Sequence, residues 1–396
     1  MAGHDGRLYI ACCQALMDRS LVIVTTSFPV VSDGSEAAGS FVYDLAEELA
    51  SEIHVRVVAP GPVATIEHVS STFEVYRFAA PSTALSSLRI WHPCDLVRII
   101  KVLREGARAV DAATDTEFCA HILALWVLPS GYWGRRTAMK RGISYSVWAL
   151  GSDIWSLGSI PIVRGYLRKV LNDSENCYSD GLLLAEQVKK ISGRAVTFLP
   201  SARRLNNASR VRIDRSSPYR LIFLGRWHPN KGVDLLLSAL GMLSDEAWES
   251  IHAVDIYGGG PMEPIVRRNV ATLRGAGRPV NLYGYLDKTD AEKAIASADF
   301  LLIPSRIESI PVVFSDAMKL FCPVISTPVG DLPRIMQVHP VGCVAESVSP
   351  SAYSRAISLA VRADKKYSDA EMARVAALFS LSRTASILKN ISGALD

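Results

Sequence analysis

The chain has 396 residues, 49% of them hydrophobic and 21% charged, enough for two separate cores and too apolar for disorder. Its 43 basic against 39 acidic residues leave a formal charge of +4 with no concentrated Lys/Arg run, which argues against a nucleic-acid footprint. Seven cysteines, an odd and scattered set with no C-x-x-C, fit the reduced thiols of a cytoplasmic protein and exclude a disulfide scaffold.

Residues 1–20 lack the form of a secretory signal: Leu8 to Met17 is broken by Cys and Gln, and Asp18 follows without a cleavage-type end. They read as a leader, either an over-long start or a short extra helix. The core begins at Leu21 with a β-rich run to Thr25, a Gly/Ser loop to Gly39, and a helix Ser40–Ala50 that puts Phe41, Leu45, Ala46 and Leu49 on one face. Strands are expected at His54–Ala59 and Glu74–Phe78, then a helix Leu96–Val110 with a basic outer face.

A buried strand over Ile122–Leu128 follows, with Trp126 as core, inside the longest apolar run, Cys119 to Leu128. That run is about half a membrane span. The strand Ile143–Leu150 delivers Gly151, Ser152 and Asp153 to a loop at its carboxyl end, where open parallel sheets bind ligands. Asp153 there can orient an acceptor hydroxyl or cap the following helix, and both readings stand. A further helix covers Arg164–Leu171 with its basic residues outward.

From Pro200 to Tyr219 the composition turns polar, as in a connection between domains. Arg220–Leu224 restarts the strand pattern and runs into G-R-W-H-P-N-K-G and an amphipathic helix. Arg226 and Lys231 at that helix entrance are suited to phosphate oxygens, one bidentate and one a point charge, although exposed loop cations are commonly just solvated. Val254–Tyr257 ends in G-G-G-P, where Gly260 serves close backbone approach or simply a tight turn. Asn281–Tyr283 leads to Gly284 and Tyr285, and a helix covers Ala291–Ala298.

The stretch from Leu301 to Asp331 reads L-L-I-P-S-R-I-E-S-I-P-V-V-F-S-D-A-M-K-L-F-C-P-V-I-S-T-P-V-G-D. A strand closed by Pro304 leaves Ser305–Ser309 as a loop, and a helix is expected from near Ile310 with Pro311 in its first turn. Glu308 then lies just ahead of a positive dipole end and Asp316 about two turns in, a place suited to an anionic ligand. The plain alternative is a solvated loop carboxylate and a surface helix Asp. Ser326–Asp331 is another strand-end loop, Val344 begins a last short strand, and helices Ser351–Arg362 and Phe379–Ile391 follow; the repeated strand-loop-helix units make a doubly wound pattern.

Glu308 and the acid eight positions on, set in P-S-x-x-E-S-x-x-x-x-x-x-D-A-M with P-V-I-x-T-x-V-G behind, resemble the E-x7-E signature of the retaining glycosyltransferases of family four. The resemblance runs from about Leu21 to the C-terminus and is strongest from Leu224 to Gly330. It implies an α/β fold of GT-B type: two facing Rossmann-like domains with parallel sheets and a C-terminal helix returning to the first domain. The domains are placed at 21–205 on the acceptor side and 219–375 on the nucleotide-sugar side, with a linker at 206–218 and the returning helix in 376–396.

Carried onto this chain, the family pattern gives Glu308 contact with the donor sugar and Asp316 the ribose hydroxyls. Arg226 and Lys231 take the diphosphate, and Asp153 is added as a catalytic candidate. Gly225, Gly260, Tyr285, Ser309, Ile310, Pro311, Val312 and Gly39 belong to the donor site; Ser40, Gly151 and Ser152 lie on the acceptor side. Gly39 also reads as a plain helix-entrance glycine. No cofactor and no metal are expected, since there is no D-x-D pair and the histidines lack ligand spacing.

Four positions depart from the family. Leu125 and Leu150 stand where histidines are common, Asp316 is a methylene shorter than the usual glutamate, and Pro311 replaces a common glycine. The expected partners are a UDP- or GDP-sugar donor and a glycan or lipid-linked acceptor, in the cytoplasm or peripheral at the inner face of the membrane, without nucleic acid. The alternatives are a catalytically silent nucleotide-sugar-binding subunit and a nucleotide-sugar epimerase of the same fold.

Overall fold

The computed structural model describes residues 20–30, 39–80, 92–115, 119–206, 216–363 and 367–391. The expected leader, apart from Ser20, and residues 207–215 of the expected linker therefore lie outside the described residues. The chain divides into two compact units, one running to Pro200 and completed by the segment from Leu381, the other covering Ser201–Ser380.

The N-terminal unit is an eight-stranded sheet in the order β3-β4-β2-β1-β5-β6-β7-β8. Its strands are β1 (Ser20–Val24), β2 (His54–Gly61), β3 (Thr65–Ser70), β4 (Phe73–Ala79), β5 (Cys119–Leu125), β6 (Ser144–Ala149), β7 (Cys177–Ser179) and β8 (Thr197–Phe198). All pairs are parallel except β3 with β4. β1 is fully buried, and from Leu21 to Val24 it is the continuous apolar run expected of a central parallel strand. The sequence reading missed β3, whose T-I-E-H-V-S is exposed throughout and so carries no alternation, and it missed the very short β7 and β8.

β5 ends at Leu125, three residues before the expected end, because Trp126 turns into the left-handed region at φ 67°. Trp126 is consequently half-buried rather than core, its ring edge-on to Phe41 at 6.5 Å. The helix expected at Leu96–Val110 extends over Pro93–Ala113. The helix Leu381–Ile391 packs on Ser40–Ala50 and so belongs to this same unit.

The C-terminal unit is a six-stranded, wholly parallel sheet in the order β11-β10-β9-β12-β13-β14. Its strands are β9 (Tyr219–Leu224), β10 (Ile251–Tyr257), β11 (Val280–Leu282), β12 (Phe300–Ile303), β13 (Val324–Ser326) and β14 (Gly342–Val344). β14 closes at Val344 rather than beginning there; Gly342 lets its backbone approach β13, since a Cβ would stand 1.9 Å from the Val324 carbonyl.

In both units the chain winds outward on one side of the first strand and then crosses to the other. The reversal falls between β1 and β5 in one unit and between β9 and β12 in the other. The loops leaving the carboxyl ends of those paired strands diverge and leave a crevice, the preferred ligand position in a doubly wound sheet.

Candidate functional site

In the C-terminal unit the β9 loop carries Gly225, Arg226, His228 and Lys231, and the adjacent β12 loop carries Ser305, Arg306, Glu308 and Ser309. Lys231 Nζ forms an ion pair with Glu308 Oε1, and the Ser305 hydroxyl reaches the same oxygen at 3.4 Å. The two residues that the sequence placed on separate segments are thus in direct contact across the β9/β12 crevice. His228 sits between the cations: burial, and then the charges of Arg226 and Lys231, hold its imidazole below the ordinary histidine value.

Three features the sequence reading did not single out build this crevice. Arg306 clamps Asp234 through both guanidinium nitrogens at 2.7 and 2.8 Å and donates to the Pro229 carbonyl at 2.7 Å. Its own N–H donates to Asn230 O at 2.7 Å, so the β12 loop is fastened along the β9 loop. Gly232, at φ +69°, lies so close to Pro304 that a Cβ would stand 2.0 Å from its carbonyl oxygen. On the other side Gly330, at φ +52°, brings the β13 loop against Glu308 and Ser309, and Asp331 N–H donates to Ser309 O at 3.1 Å. Only a P-V-G pattern in the sequence hinted at Gly330.

That brace corrects the expected helix start. The β13 loop holds Ser309 through its carbonyl, Pro311 keeps ψ 130° as the residue before the helix, and the helix itself is Val312–Lys319. Pro311 therefore does not occupy the first turn. Ser309 Oγ is buried beside this amino end without a hydrogen-bond partner among the described residues. Ile310 and Pro311 are buried and Val312 half-buried.

Asp316 is not a surface helix residue. It is 3% exposed, with Oδ2 facing Arg203 Nε at 3.3 Å. Arg203 comes from the first segment of the C-terminal unit, where Lys319 Nζ also binds its carbonyl at 2.7 Å and Glu292 receives the Asn206 N–H at 3.1 Å. No sequence signal marked Arg203 as the partner of Asp316.

The β10 and β11 loops complete the edge. A Cβ on Gly258, at φ +136°, would stand 2.0 Å from the Gly225 carbonyl oxygen, and Trp227 N–H donates to Gly259 O at 2.7 Å. Gly260, at φ +140°, lies against the stem of Arg226. Tyr285 is half-exposed, with its hydroxyl donating to Gly259 O at 2.7 Å; burial, partly offset by Arg226, raises the phenol above its ordinary value. Gly225, Arg226, Lys231, Gly260, Tyr285, Glu308, Ser309 and Ile310 are thus brought to one edge of one sheet.

The remaining candidates form a second group within the N-terminal unit. Gly39, at φ +74°, is packed so tightly under the β1 loop that a Cβ would stand 2.3 Å from Ser27 O, and Ser40 begins its helix. Gly151, at φ +104°, is covered by the Trp155 ring, and Ser152 is exposed. Asp153 is 2% exposed and takes the Val127 N–H on Oδ2 at 2.5 Å, with the backbone N–H groups of Asp153 and Ile154 also facing it. Burial pushes its carboxyl up to about 6. Asp153 is the first residue of the short helix Asp153–Leu157, whose cap position is Ser152, and its carboxylate holds the β5 loop that carries the half-buried Trp126.

Among the described residues no cluster of His, Cys, Asp and Glu has the arrangement of a metal site, and no helix is long and apolar enough to cross a membrane.

Residues 218–362 match the family described as glycosyl transferases group 1. Over 142 residues the chain is 30% identical to the D-inositol 3-phosphate glycosyltransferase of Corynebacterium glutamicum (strain R), an alignment covering 34% of this chain and 33% of that one. The chain thus spans about a third of the length of that relative. Among solved structures, sucrose-phosphate synthase from Thermosynechococcus elongatus superposes with a TM-score of 0.73 at 17% identity over 94% of this chain and 98% of that one. The Anabaena protein HepE, in complex with UDP and glucose, gives 0.66 at 12% identity over 95% and 100%. At such identities the likeness is one of fold, and by it the chain has the two Rossmann-like α/β units of the GT-B type.

Proposed function

We propose that the chain is a glycosyltransferase that moves a sugar from a nucleoside-diphosphate donor, UDP- or GDP-linked, to a hydroxyl of a glycan or lipid-linked acceptor, with retention at the anomeric carbon and without a metal. The observation that carries this reading is the pairing of Lys231 with Glu308 across the β9/β12 crevice, with Arg226 and His228 on the same loop. The family match over 218–362 covers these residues, and a UDP complex exists among proteins of this fold.

In this reading the donor diphosphate takes Lys231 from Glu308, and Arg226 grips a second phosphate oxygen. Both cations then offset the charge that builds on the departing nucleotide. The released Glu308 carboxylate accepts from hydroxyls of the donor sugar. Ser309 Oγ and the amino end of Val312–Lys319 supply further donors. Asp316, oriented by Arg203, takes the ribose hydroxyls, and Tyr285 lies on the base side. Gly39, Ser40, Gly151 and Ser152 serve the acceptor side.

Donor hydrolysis and transfer across a panel of UDP- and GDP-sugars test this, wild type against Glu308→Ala and Lys231→Ala. Losing either group should lower turnover about 10²-fold or more, and unchanged turnover in both variants would sink the assignment. Donor binding without turnover for every acceptor would instead support a silent binding subunit, and a C-epimerised donor formed without acceptor an epimerase. Loss of activity with chelator, or an inverted product by NMR, would remove metal independence or retention respectively.

A further inference from the structure

The helix Pro93–Ala113 is used unevenly along its length. Its second half is locked down: Val102, Gly106, Ala107, Val110 and Ala113 are buried, and Trp133 lies where a Gly106 Cβ would be, at 2.4 Å. The Trp133 indole also donates to Leu103 O at 2.9 Å, joining this helix to Ser130–Arg141. Its first half projects outward, leaving Leu96, Val97 and Ile100 exposed at 45%, 68% and 40%. Their spacing puts them on one ridge, which continues through Lys101, Arg104 and Arg108. From Val97 to Arg104 is about 10 Å along the axis.

Beside the ridge runs a groove of about 360 Å³ whose lining includes Ile100, Leu103, Arg104, Arg108, Tyr132 and Arg136. The face holds six cations, Arg98, Lys101, Arg104, Arg108, Arg136 and Lys140, against the three carboxylates Asp95, Glu105 and Asp111. That is a net of +3, where the whole chain carries +4. In the ion pairs the cation stands outward of its acid: 75% against 27% exposure for Arg108 and Glu105, and 58% against 22% for Lys140 and Asp111.

We propose that this face docks on an anionic lipid surface, with Leu96, Val97 and Ile100 below the headgroups and the cations among the lipid phosphates. An apolar tip followed within about 10 Å by a basic collar matches the depth to which amphipathic helices sink into that boundary. The concentrated positive charge selects an anionic layer. It also opposes a second copy, which would present the same charge to itself across a twofold contact. The assignment is independent of the transfer reading, because no residue of the β9/β12 crevice takes part.

The test is co-sedimentation of the full chain with phosphatidylcholine vesicles, with and without phosphatidylglycerol. Binding should require the anionic lipid and fall with added salt. Each cation removed should cost about five-fold in partitioning, so Lys101→Gln with Arg104→Gln should lose about 25-fold. Val97→Asp with Ile100→Asp should remove binding while thermal melting and donor hydrolysis stay as in wild type. The proposal is overturned if wild type sediments no better with the anionic vesicles, if both double variants bind like wild type, or if the chain is a dimer that the aspartate pair converts to monomer. Binding of an acidic protein in place of vesicles would overturn it as well.

Discussion

Replacing Gly330 by Ala separates the bracing of the crevice from its chemistry. An added Cβ would stand 1.7 Å from Ser309 O and 2.6 Å from Glu308 O, where ordinary contact begins near 3.4 Å. The β13 and β12 loops must part by about 1.7 Å, the difference between these distances. The Asp331 N–H bond to Ser309 O then breaks and Glu308 shifts away from Lys231. A displacement of about 1 Å in a positioned group costs about 10²-fold in rate. Stability should fall by about 1 kcal/mol for the left-handed alanine and about 1 kcal/mol for the lost hydrogen bond.

Gly277→Ala is the control, since its φ is +75° and nothing lies within 4 Å of the added Cβ. It should lower the melting temperature by about 2–4 °C and leave turnover intact, while Gly330→Ala should lower melting about twice as far. Donor hydrolysis and thermal melting on the same preparations decide. If Gly330→Ala melts and turns over like Gly277→Ala, the close approach of the two loops does not hold Glu308.

Three other outcomes are expected. Arg203→Ala should destabilise the C-terminal unit by about 3 kcal/mol in denaturant melts, because it strips a partner from the buried Asp316, and Arg203→Lys should recover part of the loss. Asp153 titrates near 6 in the fold against an ordinary 3.8, so the native state holds a proton that the unfolded chain has released. Stability of the N-terminal unit should therefore decline as pH rises from about 4 to 6, by an amount on the order of 3 kcal/mol, and Asp153→Asn should flatten the decline in pH-dependent melts. His228, held low by burial and its cationic neighbours, should titrate higher when UDP or GDP is added, read by NMR; an unmoved resonance would place the diphosphate elsewhere.

Elements with strong local signals were legible from residues alone. β1 and β9 contain the apolar runs Leu21–Val24 and Leu221–Leu224, and Ser40–Ala50 has a clean apolar stripe, so their types and places agree with the structure to within about a residue. The boundaries that moved did so for tertiary reasons: Pro311 waits outside its helix because Gly330 pins Ser309, and β5 stops where Trp126 turns against Phe41. Glu308, Lys231 and Arg226 could be named because motif spacing reports which loop a residue is on. The partners of Asp316 and Asp153 could not, because Arg203 and Val127 reach them through packing between distant segments.

The fastening of Arg306 along the β9 loop makes Pro229, Asn230, Lys231, Asp234 and Glu308 parts of one mechanical piece, whereas Tyr285 rests on the β10 loop, its ring against Gly259 and its hydroxyl on Gly259 O. Redesign can therefore proceed by halves. Side chains from Tyr283 to Tyr285 can be exchanged with little strain on the charged pair, while any exchange in the fastened piece has to be made as a set.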